Sequence, residues 1–146
     1  MKQVLIKNMY LQSSVELLYR MTLRGKQSRH RSKLVRILNE KVKELGENEI
    51  ELIKEYTGVD ENGNPKRNEQ GNFDVDDVFK FRKDQQELLE EEVFIEGEGN
   101  REMIKTVKEI LSNYDEEIGG EKADAFDYLC EAFGVDEEDL EEQKIG

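Results

Sequence analysis

Leu34, Leu38, Val42, Leu45, Leu52 and Tyr56 recur at spacings of three and four, with Glu49 the one polar residue in phase with them. Few folds accommodate a stripe that holds a helical period over so many turns. Residues at i, i+4 and i+7 share one face of an α-helix, whereas a strand would scatter them over both of its faces. The phase survives Gly46, so the spacing predicts one long helix from Ser28 to Tyr56, with the glycine as the place where it can kink. A seam this long and narrow calls for another helix packed along it in coiled-coil fashion. Composition agrees: 36% apolar and 39% charged, with one Pro and no Trp in 146 residues, describes a thin core carrying long solvated helical faces. The length suits a single domain.

The remaining segments are read around that spine. Residues 3–7 are apolar enough for a strand or an extended lead-in. "SSVELLYRMTLRG" reads as a helix capped by Ser13 or Ser14, with Val15, Leu18 and Met21 on one face and Gly25 as its stop. Ser28 then caps the long helix. The stretch 57–77 is turn chemistry, with Asn62-Gly63, Pro65 and Gln70-Gly71-Asn72, and it predicts a small β-hairpin over about 58–75. Residues 3–7 and 93–95 are candidates to join it. A helix is expected from Asp76 or Asp77 to Glu92, using Val78, Phe81, Leu88 and Leu89. Another follows Asn100, with Met103, Ile104, Val107, Ile110, Leu111 and Tyr114, and a last one carries Phe126, Leu129, Cys130 and Phe133 up to Gly134. No internal repeat is evident. The expected architecture is mostly α, over residues 1–134, with two or three shorter helices packed on the long one and the hairpin as an insertion. An α+β arrangement is the alternative, and residues 135–146 are expected to form an acidic, flexible tail.

Charge divides the chain. Met1 to Lys43 holds eleven Lys/Arg against Glu16 and Glu40, a net of +9; the rest holds eleven against 33 Asp/Glu, a net of -22. The basic part is densest in "RGKQSRHRSKL", with Arg24, Lys26, Arg29, Arg31 and Lys33, and Arg36 just beyond. Arg29, Lys33 and Arg36 fall on one helix face beside a helix start, a place suited to an anion. The preferred anion is the protein's own acidic half, with the arginines bridging to its carboxylates. Nucleic acid is the weaker candidate, because -22 of like charge would be carried toward the phosphates and no aromatic residues are interleaved as a stacking platform. The acidic candidates are Glu90, Glu91 and Glu92, then Asp115, Glu116 and Glu117, then Asp136, Glu137 and Glu138. They serve either solubility or the docking of a partner, as an imitation of a nucleic-acid backbone. A net charge of -13 exceeds what solubility needs.

Catalytic and metal-binding patterns are not found. Asp60, Asn62 and Asn64 alternate like the opening of a calcium loop. Pro65 stands where that loop needs its glycine, and Gly71 where it needs a bidentate Glu. His30 and Cys130 are the only residues of their kinds; Cys130 is in phase with Phe126 and Phe133 and reads as a core residue rather than a nucleophile. The glycines at 97, 99, 119 and 120 make no phosphate loop. The expectation is a protein that is not an enzyme and takes no cofactor and no metal. No apolar run spans a membrane and no secretory signal is recognisable, so a soluble, intracellular protein is expected.

"RGKQSRHRSKL", "LNEKVKELGENEIELIKEY", the pair "DENGNP" and "NEQGNF", and "FDYLCEAF" occur in that order. Together they resemble an uncharacterised family of small proteins from phages and prophages of Gram-positive bacteria. The likeness covers about Lys7 to Phe133 and is most specific at Gly25, Ser28, Arg29, Arg31 and Lys33. That family carries no established activity, so the resemblance implies a setting, the cytoplasm of an infected or lysogenic bacterium, and a factor that binds a host or phage protein. The leading expectation is a phage-encoded acidic binding protein that modulates or inhibits a host nuclease, defence complex or transcription component. The alternatives are a virion assembly or accessory protein that oligomerises through its helices, and a nucleic-acid binder using residues 24–36.

Overall fold

The computed structural model describes residues 3–136. Along them run β1 (Val4–Lys7), a 3-10 turn (Asn8–Tyr10), α1 (Leu11–Arg20), α2 (Gly25–Thr57), α3 (Val78–Glu90), β2 (Glu92–Ile95), α4 (Arg101–Asn113) and α5 (Glu121–Ala132). The protein is mostly α, with one long helix and a small β element. Four shorter helices accompany the long one, where two or three were expected. The two strands pair antiparallel with each other, Val4 opposite Ile95 and Lys7 opposite Glu92, and not with residues 58–75.

The long helix has 33 residues, a length of about 50 Å at 1.5 Å per residue. It passes through Gly46 without interruption and begins at Gly25, not at Ser28. Gly25 has φ +54, a conformation that glycine enters at little cost, so the residue read as a stop is a start. Ser28 lies inside the first turn, its N–H donating to Arg24 O. The helix before it is shifted too: α1 starts at Leu11 and ends at Arg20, and neither serine caps it. The 3-10 turn leads β1 directly into α1. Ser13 donates back to Tyr10 O, and Ser14 is fully buried.

One core gathers Val4 and Ile6 of β1, Leu11, Leu17 and Leu18 of α1, Leu34 and Leu38 of α2, Ile95 of β2, Met103, Val107 and Leu111 of α4, and Leu129 of α5. The sheet's inner face therefore alternates as a half-buried antiparallel pair should, leaving Leu5 and Phe94 outward. The seam of α2 is fully buried in this core at Leu34 and Leu38 and packs against it, half-buried, as far as Leu45. Past Leu45 its apolar residues are half-buried at best, Thr57 is the one buried residue of that end, and α3, which returns alongside, has no buried residue at all. Edge-to-face packing of Tyr56 on Phe81 and a hydrogen bond from the Tyr56 hydroxyl to Asp84 join the two helices. The coiled-coil expectation is thus replaced by a spine embedded at one end and a two-helix arm at the other.

Residues 58–75 form no hairpin. They hold two isolated bridges, Val59 with Pro65 and Arg67 with Phe73. Asp60 to Asn64 and Asn68 to Asn72 are the same turn made twice, eight residues apart. In each, the first N–H donates to the last carbonyl at 2.8 Å, and the first side-chain oxygen accepts two backbone N–H groups. Lys66 N–H donates to Gly58 O and Asp74 N–H to Lys66 O, so the second turn stacks on the first in the same register. A short internal repeat is present after all. No described helix is long and apolar enough to cross a membrane.

Candidate functional site

The basic island lies where the start of α2 meets the end of α1 and the start of α4. The Arg31 guanidinium donates to Leu18 O at 2.7 Å and to Met21 O at 2.6 Å. The last carbonyls of a helix have no partners within it and carry its negative end, so a cation there is doubly favoured. Lys33 Nζ donates to Gly99 O at 3.0 Å, ahead of α4, and Lys26 Nζ stands 3.7 Å from Glu102 on an exposed surface. His30 Nδ1 shares a 2.7 Å hydrogen bond with the hydroxyl of Thr106, which is buried. Arg24, Arg29 and Arg36 are exposed.

The island was expected to bridge to carboxylates. Among the described residues only Lys26 of this island does so; Arg31 and Lys33 meet main-chain carbonyls. The physical reason is proximity: the groups nearest the start of α2 are the peptide dipoles of two helix ends, which no count of charged side chains records. The three-cation face of Arg29, Lys33 and Arg36 is reduced accordingly, with Lys33 already engaged.

The acidic candidates are divided between two surfaces. Glu90, Glu91 and Glu92 are exposed where α3 passes into β2. Asp115, Glu116 and Glu117 are exposed in the loop from α4 to α5, and Asp136 is exposed after α5; Glu137 and Glu138 lie outside the described residues. Asp136 lines an open cleft of about 540 Å³ floored by Tyr114, Phe126 and Cys130, with Asp127 and Glu131 as further carboxylates. Glu90–Glu92 take no part in it. Tyr114 donates to Glu116 at 3.2 Å, and burial followed by that hydrogen bond pushes its phenol upward. Cys130 is half-buried; burial, then the charges of Asp136 and Asp127, push its thiol up and disfavour the thiolate. Among the described residues, the carboxylates within 4 Å of a lysine or arginine are Glu44, Glu51 and Glu102.

The Asp60 carboxylate of the calcium-like sequence is occupied by the N–H groups of Asn62 and Asn64, and no cluster of metal-ligating side chains occurs among the described residues. Two tyrosines make polar contacts to which the sequence did not point, although Tyr56 stands in the stripe of the long helix. Tyr128 stacks on Tyr10 with ring centres 3.8 Å apart, and its hydroxyl accepts the Lys7 N–H at 2.8 Å, closing the outer edge of β1. Its signal was an aromatic residue off the Phe126–Leu129–Phe133 stripe. Tyr56 is the other: its hydrogen bond to Asp84, burial and neighbouring acids raise its phenol to about 12. Comparison of the chain with protein-family models, characterised proteins and solved structures returns no match.

Proposed function

We propose that this is a non-enzymatic acidic binding protein that acts by protein–protein contact on a basic partner, in the setting of a phage-infected or lysogenic bacterium. A nucleic-acid-handling host protein, into whose basic groove the acidic surface docks by imitating a nucleic-acid backbone, is the partner class of choice. One observation carries the reading. The cations Lys26, Arg31 and Lys33 are engaged within the fold, two of them by neutral carbonyls. Glu90–Glu92 and Asp115–Glu117 face solvent and form no ion pair within 4 Å among the described residues, Lys7 standing opposite Glu92 across the sheet without reaching one. Such a surface projects a negative field that speeds encounter with a positive one and weakens with salt.

Capture from host lysate at low and high salt tests it, with a variant carrying Asp115→Asn, Glu116→Gln and Glu117→Gln and another carrying Glu90, Glu91 and Glu92 all changed to Gln. The expected result is a defined partner retained at low salt, released at high salt and lost with one variant. Recovery of no partner at either salt sinks the proposal. Apolar side chains exposed on the arm, Ile50 of α2 and Val78 and Phe79 of α3, favour a second reading, assembly through helix-mediated oligomerisation. A defined higher oligomer by light scattering selects it instead.

A further inference from the structure

A two-stranded sheet has two outer edges, and among the described residues α5 packs along that of β1 alone. Asn8 N–H donates to Glu91 O at 2.9 Å, which fixes the hydrogen-bonding parity of the ladder. Ile6–Val93 and Val4–Ile95 are then the hydrogen-bonded pairs, and Leu5–Phe94 and Lys7–Glu92 are the pairs whose N–H and C=O groups point away from the partner strand. On β1 the outward Lys7 N–H is taken by Tyr128 of α5. On β2 the outward groups of Glu92 and Phe94 meet no hydrogen-bond partner among the described residues. A row of unpaired backbone groups of this kind is a template for another strand.

The side chains on that edge define what can join it. Glu92, Phe94 and Glu96 alternate on the solvent face of the strand and its continuation, and all three are exposed. Glu90 and Glu91 precede them and Glu98 follows. A second copy is a poor occupant: antiparallel pairing centred on Phe94 sets Glu92 directly opposite the other copy's Glu96, and like charges so placed repel. The acids that protect the edge from self-pairing select an opposite charge. At the end of β2 an open cleft of about 700 Å³, bordered by Phe94, Ile95, Gly97 and Ile104, leaves room for side chains of an added strand that turn toward the core.

Resting on the reading of an acidic binding protein, we infer that the outer edge of β2 takes up an extended segment of the partner by strand addition, and that this segment has the pattern basic–x–apolar–x–basic. Its two cations lie beside Glu92 and Glu96 and its apolar residue beside Phe94, with main-chain bonds to Glu92 and Phe94 supplying affinity and the side chains supplying selection. The pattern is palindromic, so it fits either strand direction.

The test uses the full chain, isotope-labelled, and a synthetic heptapeptide alternating threonine with lysine, isoleucine and lysine; a control peptide has glutamates for the lysines. Saturation with the lysine peptide should slow amide exchange at Phe94 by about tenfold or more, while the glutamate peptide leaves it unchanged. Phe94→Pro removes the outward N–H without taking a bond from the β1 ladder and should abolish peptide binding with circular dichroism retained. Should that variant unfold, Glu92→Lys with Glu96→Lys decides instead, by reversing the preference between peptides. No protection at Phe94, undiminished binding by Phe94→Pro, or no reversal by the double variant overturns the inference. So does peptide-free protection of Phe94 that grows with protein concentration, the mark of self-pairing. In lysate capture, a partner retained by Phe94→Pro but lost on neutralising the acids removes the strand addition and leaves the wider reading standing.

Discussion

Arg31→Met removes the guanidinium that holds Leu18 O and Met21 O while keeping most of the side-chain stem. Hydrogen bonds to a charged donor each contribute about 1.5–3 kcal/mol net, and a cation at a helix C-terminus adds about 0.3–1 kcal/mol. The half-buried guanidinium gives back part of this as lost hydration, so the net cost of the substitution is about 2–4 kcal/mol. Arg29→Met, on the exposed side of the same helix turn, should change stability by less than about 0.5 kcal/mol. With a urea slope of about 2 kcal/mol/M for a chain of this size, the Arg31 midpoint falls by about 1–2 M and the Arg29 midpoint hardly moves. Arg31→Lys should fall between them, because one ammonium cannot reproduce the fork that reaches two carbonyls. Urea unfolding followed by circular dichroism and by tyrosine fluorescence measures all three. If Arg31→Met and Arg29→Met unfold within about 0.5 kcal/mol of each other, the assignment of the basic island to the α1–α2 joint is wrong.

Leu38→Ala, at a fully buried position, should cost about 3 kcal/mol, and Leu52→Ala in the half-buried arm about 1 kcal/mol; denaturant midpoints give both. Tyr56 is held neutral by Asp84 with its phenol at about 12 against an ordinary 10.0, so its contribution to the arm is complete below pH 10 and is lost as pH rises from there through about 12. Tyr56→Phe should abolish that alkaline step, read as phenolate absorbance together with amide exchange in α3. Tyr128→Phe takes away the acceptor of the Lys7 N–H and should cost about 1 kcal/mol, with faster exchange at Lys7 as its local signature.

The long helix and α4 were legible because their stripes are uninterrupted and a helical period has one geometric meaning. Helix ends were not. Gly25 takes a positive φ, and that conformation opens α2 as readily as it would close α1, so the residue alone cannot say which. The paired turns were visible as "DENGNP" and "NEQGNF", yet an eight-residue repeat emerges only when Gly63 and Gly71 are placed in register. Seam and core are also different things: Leu38 and Leu52 share a phase, and only the first is buried, because α1 and α4 reach the near end of α2 and only α3 reaches the far end. The site candidates were limited by the currency of the reading. Counting charges called for an anion near Arg31, where the structure places neutral peptide carbonyls that no charge count records, and it could not separate Glu90–Glu92 from Asp115–Glu117 in space.

The distinction between carbonyl and carboxylate partners has a consequence for salt that the two pictures of the basic island predict with opposite sign. If ion pairs between the +9 and -22 parts held the fold together, added salt would screen attraction and lower the melting temperature. The contacts found are short hydrogen bonds from Arg31 to carbonyls of the buried Leu18 and Met21 and from Lys33 to the exposed Gly99 carbonyl, neutral partners whose contacts salt screens weakly, while the exposed carboxylates repel one another at longer range. Raising sodium chloride from about 0.01 to 0.1 M shortens the screening length from about 30 to about 10 Å and so relieves repulsion more than it weakens any contact. The melting temperature should therefore rise over that range, and Arg31→Met should melt lower by about the same amount at both ends of it. Sodium chloride is the salt of choice because sulfate, being excluded from the protein surface, strengthens apolar burial and would mimic the effect. A melting temperature that falls with salt would show that the basic half is held by carboxylates after all, and the acidic surface would then lose its claim to be free for a partner.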